Sequence, residues 1–240
     1  MDPLSSTHDI HWIITGPEYL GWPTKRPRMF CCGINKKRLK FVGRDDYRTD
    51  FMEKFYRMAQ ISGDALFCAP DNQVHQSYSD LARVQGHNVK PEDVPKFKPL
   101  DLLPYLLSAG QLQIFQEHLE EKAEKQGLDG SFIADIQQHP GRASSSGPDF
   151  PCQLTHGTVV TFRDDGKGPR IATGMEHLGA QGYHLFEASC CDHPLSKMLQ
   201  PFQKLKEREQ KLVSGNAVHL APLAAWLFYN LANIERVRGD

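Results

Sequence analysis

The sequence predicts an α/β protein, and three observations carry the prediction. Apolar, β-branched stretches near the N-terminus and between Leu154 and Ala172 read as strands. Two long segments, Leu106 to Gln126 and Asn216 to Val237, place apolar residues at helical spacing. Between the strand-bearing ends the character changes from Arg44, and Gly141 to Asp149 has linker composition before order resumes at Leu154. The expected organisation is therefore 1–43, 44–150 and 151–240.

Each element has a local reason. Asp9 to Thr15 is apolar and rich in β-branched residues and reads as a strand, and Gly16-Pro17 stops it. In Leu20 to Ile34, Pro23 and Pro27 fix φ and remove donors, so this stretch is not a helix interior. It reads as a turn running into an edge strand, Met29 to Ile34. Asn35 to Arg38 is a polar turn, and Leu39 to Val42 completes a hairpin. Phe51, Phe55, Met58 and Ala59 predict a short helix over Asp50 to Ile61. Residues 65–86 show little period beyond one or two helical turns in SYSDLARVQ, and His87 to Asp101 reads as an extended Pro-rich connector. Leu106 to Gln126 is the longest helix, with Gly127 as its C-cap. Phe132 to Ile136 is too short to assign, and Gly141 to Asp149 has linker composition. Thr158 to Phe162 and Arg170 to Ala172 read as strands around the turn Asp164 to Pro169. Short helices are expected at Gly174 to Ala180, Pro194 to Leu199 and Phe202 to Leu212. The closing helix carries Leu220, Leu223, Trp226, Leu227, Asn230, Leu231 and Ile234 on one face.

The totals limit function. Lys and Arg number 28 against 29 Asp and Glu, a formal net charge of -1, so no global positive field attracts nucleic acid and any such binding is local. Local basic patches lie at Lys25 to Arg28, Lys36 to Lys40 and Lys204 to Lys211; the last alternates with Glu207 and Glu209 and reads as a solvated helix face. No run of about 18 apolar residues is present, so no membrane span is expected. The start, MDPLSSTHD, lacks the basic and apolar regions of a signal peptide. The six cysteines include two adjacent pairs, poor geometry for disulfides, so a reducing compartment, nucleus or cytoplasm, is expected.

Side chains two apart on a strand point the same way, so Arg26 and Arg28 are candidates for one two-pronged guanidinium site. Paired planar donors of that kind suit phosphate oxygens or a base carbonyl. The competing reading is a solvated Arg-x-Arg in a loop. Cys190, Cys191, Asp192 and His193 are metal-capable, but consecutive ligands do not comfortably face one ion.

Four stretches, in order, are similar to the cytosine-C5 DNA methyltransferases. Thr24-Lys25-Arg26-Pro27-Arg28-Met29-Phe30 resembles the family's eighth motif, Gln-x-Arg-x-Arg before an apolar strand, with Thr24 where Gln is usual. Leu154-Thr155-His156-Gly157 resembles the chain returning from the target-recognition region. Arg170, then Thr173-Gly174-Met175-Glu176 and Gln181-Gly182-Tyr183, is similar to Arg-x-Leu-Thr-x-x-Glu followed by Gln-Gly-Phe. Val213-Ser214-Gly215-Asn216-Ala217-Val218 resembles the Gly-Asn run that opens the terminal helix.

The resemblance implies a partial Rossmann-like methyltransferase sheet with an inserted mixed target-recognition region at 44–150. It implies that Arg26 and Arg28 reach a flipped cytosine and its phosphates, since a stacked base hides its faces. Lys25, Lys36, Lys37 and Arg38 would bind DNA phosphates. Asn216 and Ala217 would border S-adenosylmethionine, with Asn216 also a natural helix N-cap. The family's Gly-rich, Pro-Cys and Glu-Asn-Val loops all precede the eighth motif and are not found before Leu20. Pro151-Cys152-Gln153 spells the nucleophile triplet but lacks the Glu-Asn-Val partner, so Cys152 is not expected to be the nucleophile. The chain therefore reads as a C-terminal portion, inactive alone, that needs a chain carrying the N-terminal catalytic half. Alternatives are a non-catalytic DNA-binding module and a relative acting on tRNA cytosine.

Overall fold

A computed structural model describes residues 4–59, 61–126, 132–142, 146–162, 168–187 and 194–237. The expected Gly127 cap, the Cys190 to His193 cluster, and parts of the 141–149 linker and the 164–169 turn fall outside these residues. In order the elements are β1 (His8–Thr15), β2 (Arg28–Asn35), β3 (Leu39–Phe41), α1 (Tyr47–Phe55), α2 (Asp71–Val84), α3 (Pro99–Leu106), α4 (Ala109–Gln126), β4 (Phe132–Asp135), β5 (Ser146–Gly147), β6 (Val159–Phe162), β7 (Pro169–Ile171), α5 (Gly174–Gly179), α6 (Leu199–Gln203), α7 (Glu207–Asn216), α8 (Leu220–Ala232) and β8 (Ile234–Arg236). The protein is mixed α/β, and at 44% helix against 18% strand its sheets are small. All three sheets are antiparallel. The chain forms two compact units, one of Met1–Trp22, Arg26–Gln60 and Val218–Asp240, the other of Pro23–Lys25 and Ile61–Ala217. The chain passes from one unit to the other after residues 22, 25, 60 and 217.

In the first unit, β1 pairs with β2 along its whole length, from His8 opposite Asn35 to Thr15 opposite Arg28. Successive side chains on these strands take opposite faces. Ile13 and Phe30 face inward as a cross-strand pair, while Trp12, Ile14 and Met29 point outward. The inner face joins Tyr47, Phe51 and Tyr229 in one cluster, so α1 and α8 both cover it. Asp46 caps α1 by accepting from the Thr49 amide at 3.0 Å.

Two expectations change here. Leu39 to Phe41 does not complete a hairpin with β2; β3 pairs with β8, with Leu39 opposite Arg236 and Phe41 opposite Ile234. The closing helix runs only over Leu220–Ala232, and its buried residues are Pro222, Tyr229 and Asn230. Leu227 and Leu231, expected on the buried face, are 45% and 73% exposed. The helix is apolar almost all round, so a 3.6-residue period selects no single face.

In the second unit the sheet order is β5-β4-β6-β7. Phe132, Ala134, Val160 and Phe162 belong to one core with residues of α2, α3 and α4. Ile133 and Val159 belong to another with Phe67, Phe150, Ala172 and Ala180. A strand buried on both faces reads as a short unbroken apolar run, which is why Phe132 to Ile136 carries no period. The poorly periodic 65–86 region contains α2, fourteen residues long, and the connector becomes a 3-10 turn, Pro91–Lys96, followed by α3. By length and composition the segment Glu207–Ala232 is apolar enough to cross a membrane. Ala217 to His219 break it into α7 and α8.

Candidate functional site

The second unit is tied together by a buried polar node. Thr173 caps α5 and accepts from the Glu176 amide at 3.2 Å, while the Glu176 carboxylate accepts from the Thr173 amide at 2.9 Å. The same carboxylate accepts from both Arg170 terminal nitrogens, at 3.1 and 2.6 Å, and from the Ala69 amide at 2.7 Å. Glu176 is fully buried, so the fork of Arg170 is what makes its charge tolerable.

One turn later, the Gln181 side-chain amide donates to the Ser214 carbonyl at 3.2 Å and to Gln153 Oε1. The Ser214 hydroxyl donates to the His177 carbonyl at 2.8 Å and also lies against Gln153 Oε1. Gly182, at φ +89°, makes the turn that follows Gln181, as the Gln-Gly pair suggested. Residues 170–182 and 214 thus meet around Gln153. The sequence reading missed Gln153, His177 and Ser214 as partners; only their place inside the quoted stretches hinted at them. Cys152, next to Gln153, is half-buried.

Gly215 is required by this packing. A Cβ there would lie 2.4–2.7 Å from backbone atoms of Thr155 and Leu154. Gly215→Ala is expected to destabilise the second unit by about 1–3 kcal/mol, the usual cost of forced overpacking. A urea midpoint followed by far-UV circular dichroism measures it; an unchanged midpoint would show that the contact yields freely.

Asn216 is the exposed last residue of α7, and Ala217 is the C-cap. Asn216 therefore does not cap the terminal helix; His219 does, its Nδ1 accepting from the Ala221 amide at 3.1 Å. The tight approach at Gly215 is to the chain's own backbone, not to open space for a ligand. A cavity of about 520 Å³ in this unit is lined by Gln73, Gln76, Ser77, Thr173 and Gln210 among others, and by neither Asn216 nor Ala217.

Lys25 also belongs to this unit. Its ammonium is 3.8 Å from Asp149 and its amide donates to the Phe150 carbonyl at 2.9 Å. Within the basic 204–211 patch, Lys211 is buried and paired with Glu207 at 3.5 Å, so this is not a wholly solvated face.

In the first unit the two arginines have different surroundings. Arg26 is 2% exposed, and its amide donates to Glu18 Oε2 at 3.2 Å. Arg28 is exposed and donates to the Pro27 carbonyl at 2.8 Å. The strand begins at Arg28, so the two-residue alternation does not extend back across Pro27 to Arg26. His219 is 1% exposed, with the Trp22 ring edge-on at 5.2 Å. Its Nδ1 is an acceptor, which assigns the proton to Nε2. Burial, with a smaller contribution from the Arg26 charge, pushes its pKa down to about 3.

Lys36, Lys37 and Arg38 form the exposed turn after β2. Lys36 donates to the Ser5 carbonyl at 2.9 Å and is 3.3 Å from Asp9. The Lys37 amide donates to Asn35 Oδ1 at 3.0 Å, which fixes the turn.

No protein-family model matches this chain, and no curated protein matches it. The fold and site define a mixed α/β protein with a buried carboxylate–guanidinium node in one unit and a buried capping histidine, His219, in the other.

Proposed function

We propose that this chain is the C-terminal portion of a cytosine-C5 DNA methyltransferase. Its catalytic sheet is Rossmann-like and partial, and its target-recognition region is an insert. The observation that carries the reading is the Gln181–Ser214 contact. It joins the Arg-Thr-Glu-Gln-Gly stretch to the Ser-Gly-Asn stretch, two separated pieces of the same resemblance. Further support comes from the outer face of β1 and β2. Trp12, Ile14 and Met29 are 51%, 50% and 68% exposed there. A two-stranded sheet that is apolar on both faces matches part of a larger covered sheet. The occupant we assign to that face is the chain carrying the catalytic N-terminal half.

On this reading Arg28 and Arg26 hold the flipped cytosine and its phosphates, and Lys25, Lys36, Lys37 and Arg38 hold the DNA backbone. S-adenosylmethionine would supply the methyl group. Asn216 and Ala217 would border it once further protein closes the pocket.

The test mixes this chain with a methyltransferase N-terminal half bearing the Gly-rich and Pro-Cys loops. Labelled methyl transfer to duplex cytosine is expected only with both chains, and Arg28→Ala should reduce it by about a hundredfold to a thousandfold, the range for loss of one positioned donor. Transfer by this chain alone, or none from a co-purified pair, would overturn the proposal.

A further inference from the structure

Among the described residues, the cleft between the β2–β3 turn and β8 carries three cations and no acidic group in its lining. It measures about 480 Å³ and is lined by Lys37, Arg38, Leu39, Arg236 and Val237. The pairing of β3 with β8 creates it: Leu39 lies opposite Arg236, and the Val237 amide donates to the Arg38 carbonyl at 2.9 Å. Residues almost two hundred positions apart in sequence are thereby fixed around one opening.

The adjacent cations are already neutralised. Lys36 is 3.3 Å from Asp9, and Lys40 is 3.4 Å from Glu235. Among the described residues, Lys37, Arg38 and Arg236 have no ion-pair partner, and all three are exposed. A chain of net charge -1 therefore concentrates three unmatched positive charges at one cleft. Like charges held together by backbone pairing are relieved by an anion, and two guanidinium forks match phosphate oxygens.

The geometry points to this cleft as a phosphate-binding subsite for the backbone of duplex nucleic acid, with Arg236 as an assigned contact beside Lys37 and Arg38. The inference rests on the nucleic-acid part of the proposed function and not on methyl transfer. The exposed position of all three cations suits a polyanion lying along the surface better than an enclosed small ion.

The test measures binding of a fluorescent 20-base-pair duplex by the full chain across a salt series. Each phosphate contact contributes about 0.9 to the slope of log affinity against log salt. The Lys37→Ser, Arg38→Ser, Arg236→Ser triple variant is expected to lose about 2.7 of that slope. Arg236→Lys should retain it, and Lys204→Ser, an exposed lysine in the other unit, should not change it. Inorganic phosphate is titrated in parallel. Phosphate binding that the triple variant abolishes, with duplex affinity untouched, would overturn the nucleic-acid assignment. No duplex binding by the wild type would overturn it also. Methyl transfer is scored separately: a lost slope in a variant pair that never methylates leaves this subsite standing while the enzyme reading falls.

Discussion

Glu176→Ala lowers the stability of the second unit by about 3–5 kcal/mol, the range for breaking a buried ion pair by removing one partner. The wild-type carboxylate accepts from both Arg170 terminal nitrogens and from the Ala69 and Thr173 amides. All four donors lose this acceptor together, and Arg170 Nη2 is left with the Ala69 carbonyl at 3.5 Å. Arg170, whose side chain is only 16% exposed and lies over the Phe67 ring, keeps its charge without a counter-ion. The cap of α5 loses its reciprocal half. The double variant Arg170→Met, Glu176→Met should be more stable than either single variant, because it leaves no charge behind. All three tryptophans, Trp12, Trp22 and Trp226, lie in the first unit, so their fluorescence reports that unit alone. The second unit is followed by circular dichroism or amide exchange. A shift below about 1 kcal/mol for Glu176→Ala would show that the node is not a stabilising centre.

Acidification from pH 7.5 to pH 5 is expected to weaken both units before ordinary carboxylates titrate. His219 in the first unit and His177 in the second are held neutral, mainly by burial, with Arg26 and Lys211 respectively opposing protonation further. Both folded pKa values lie below the ordinary value near 6.5. The unfolded chain therefore binds the proton first. The stability each contributes is fully present above about 6.5 and is lost as pH falls, for His219 down to about 3. The full loss at His219 is on the order of a few kcal/mol. His219→Asn keeps a capping acceptor and removes its own titration, so the fluorescence midpoint should fall less over this range than in the wild type, with the remaining slope from His11, whose pKa burial also lowers. His177→Leu should flatten the dichroism midpoint in the same way, since neither ring nitrogen of His177 has a partner among the described residues. Equal wild-type midpoints at pH 5 and 7.5 would refute this account.

Much of the candidate site was legible where a residue's role depends on its near neighbours. The short helix after Thr173 and the turn at Gly182 are dictated within a few positions of each. Arg26 and Arg28 show the limit. Their spacing is a local fact, but burial of one and exposure of the other is not, and Pro27 delays the strand by the two residues that matter. His219 escapes a sequence reading because histidine is outside the usual capping set; its ring lies buried beside Trp22 and its Nδ1 accepts from the Ala221 amide.

The sequence alone determined the mixed α/β character, the strands β1 and β2, and the breaks at Gly and Pro. Those depend on backbone dihedrals and side-chain periods that a few adjacent residues set. Only the tertiary structure decided that β3 pairs with β8, that α8 buries Tyr229 rather than Leu231, and that Gln181 reaches Ser214. Each is a choice among apolar or polar groups that look equivalent locally, and contacts distant in sequence break the tie.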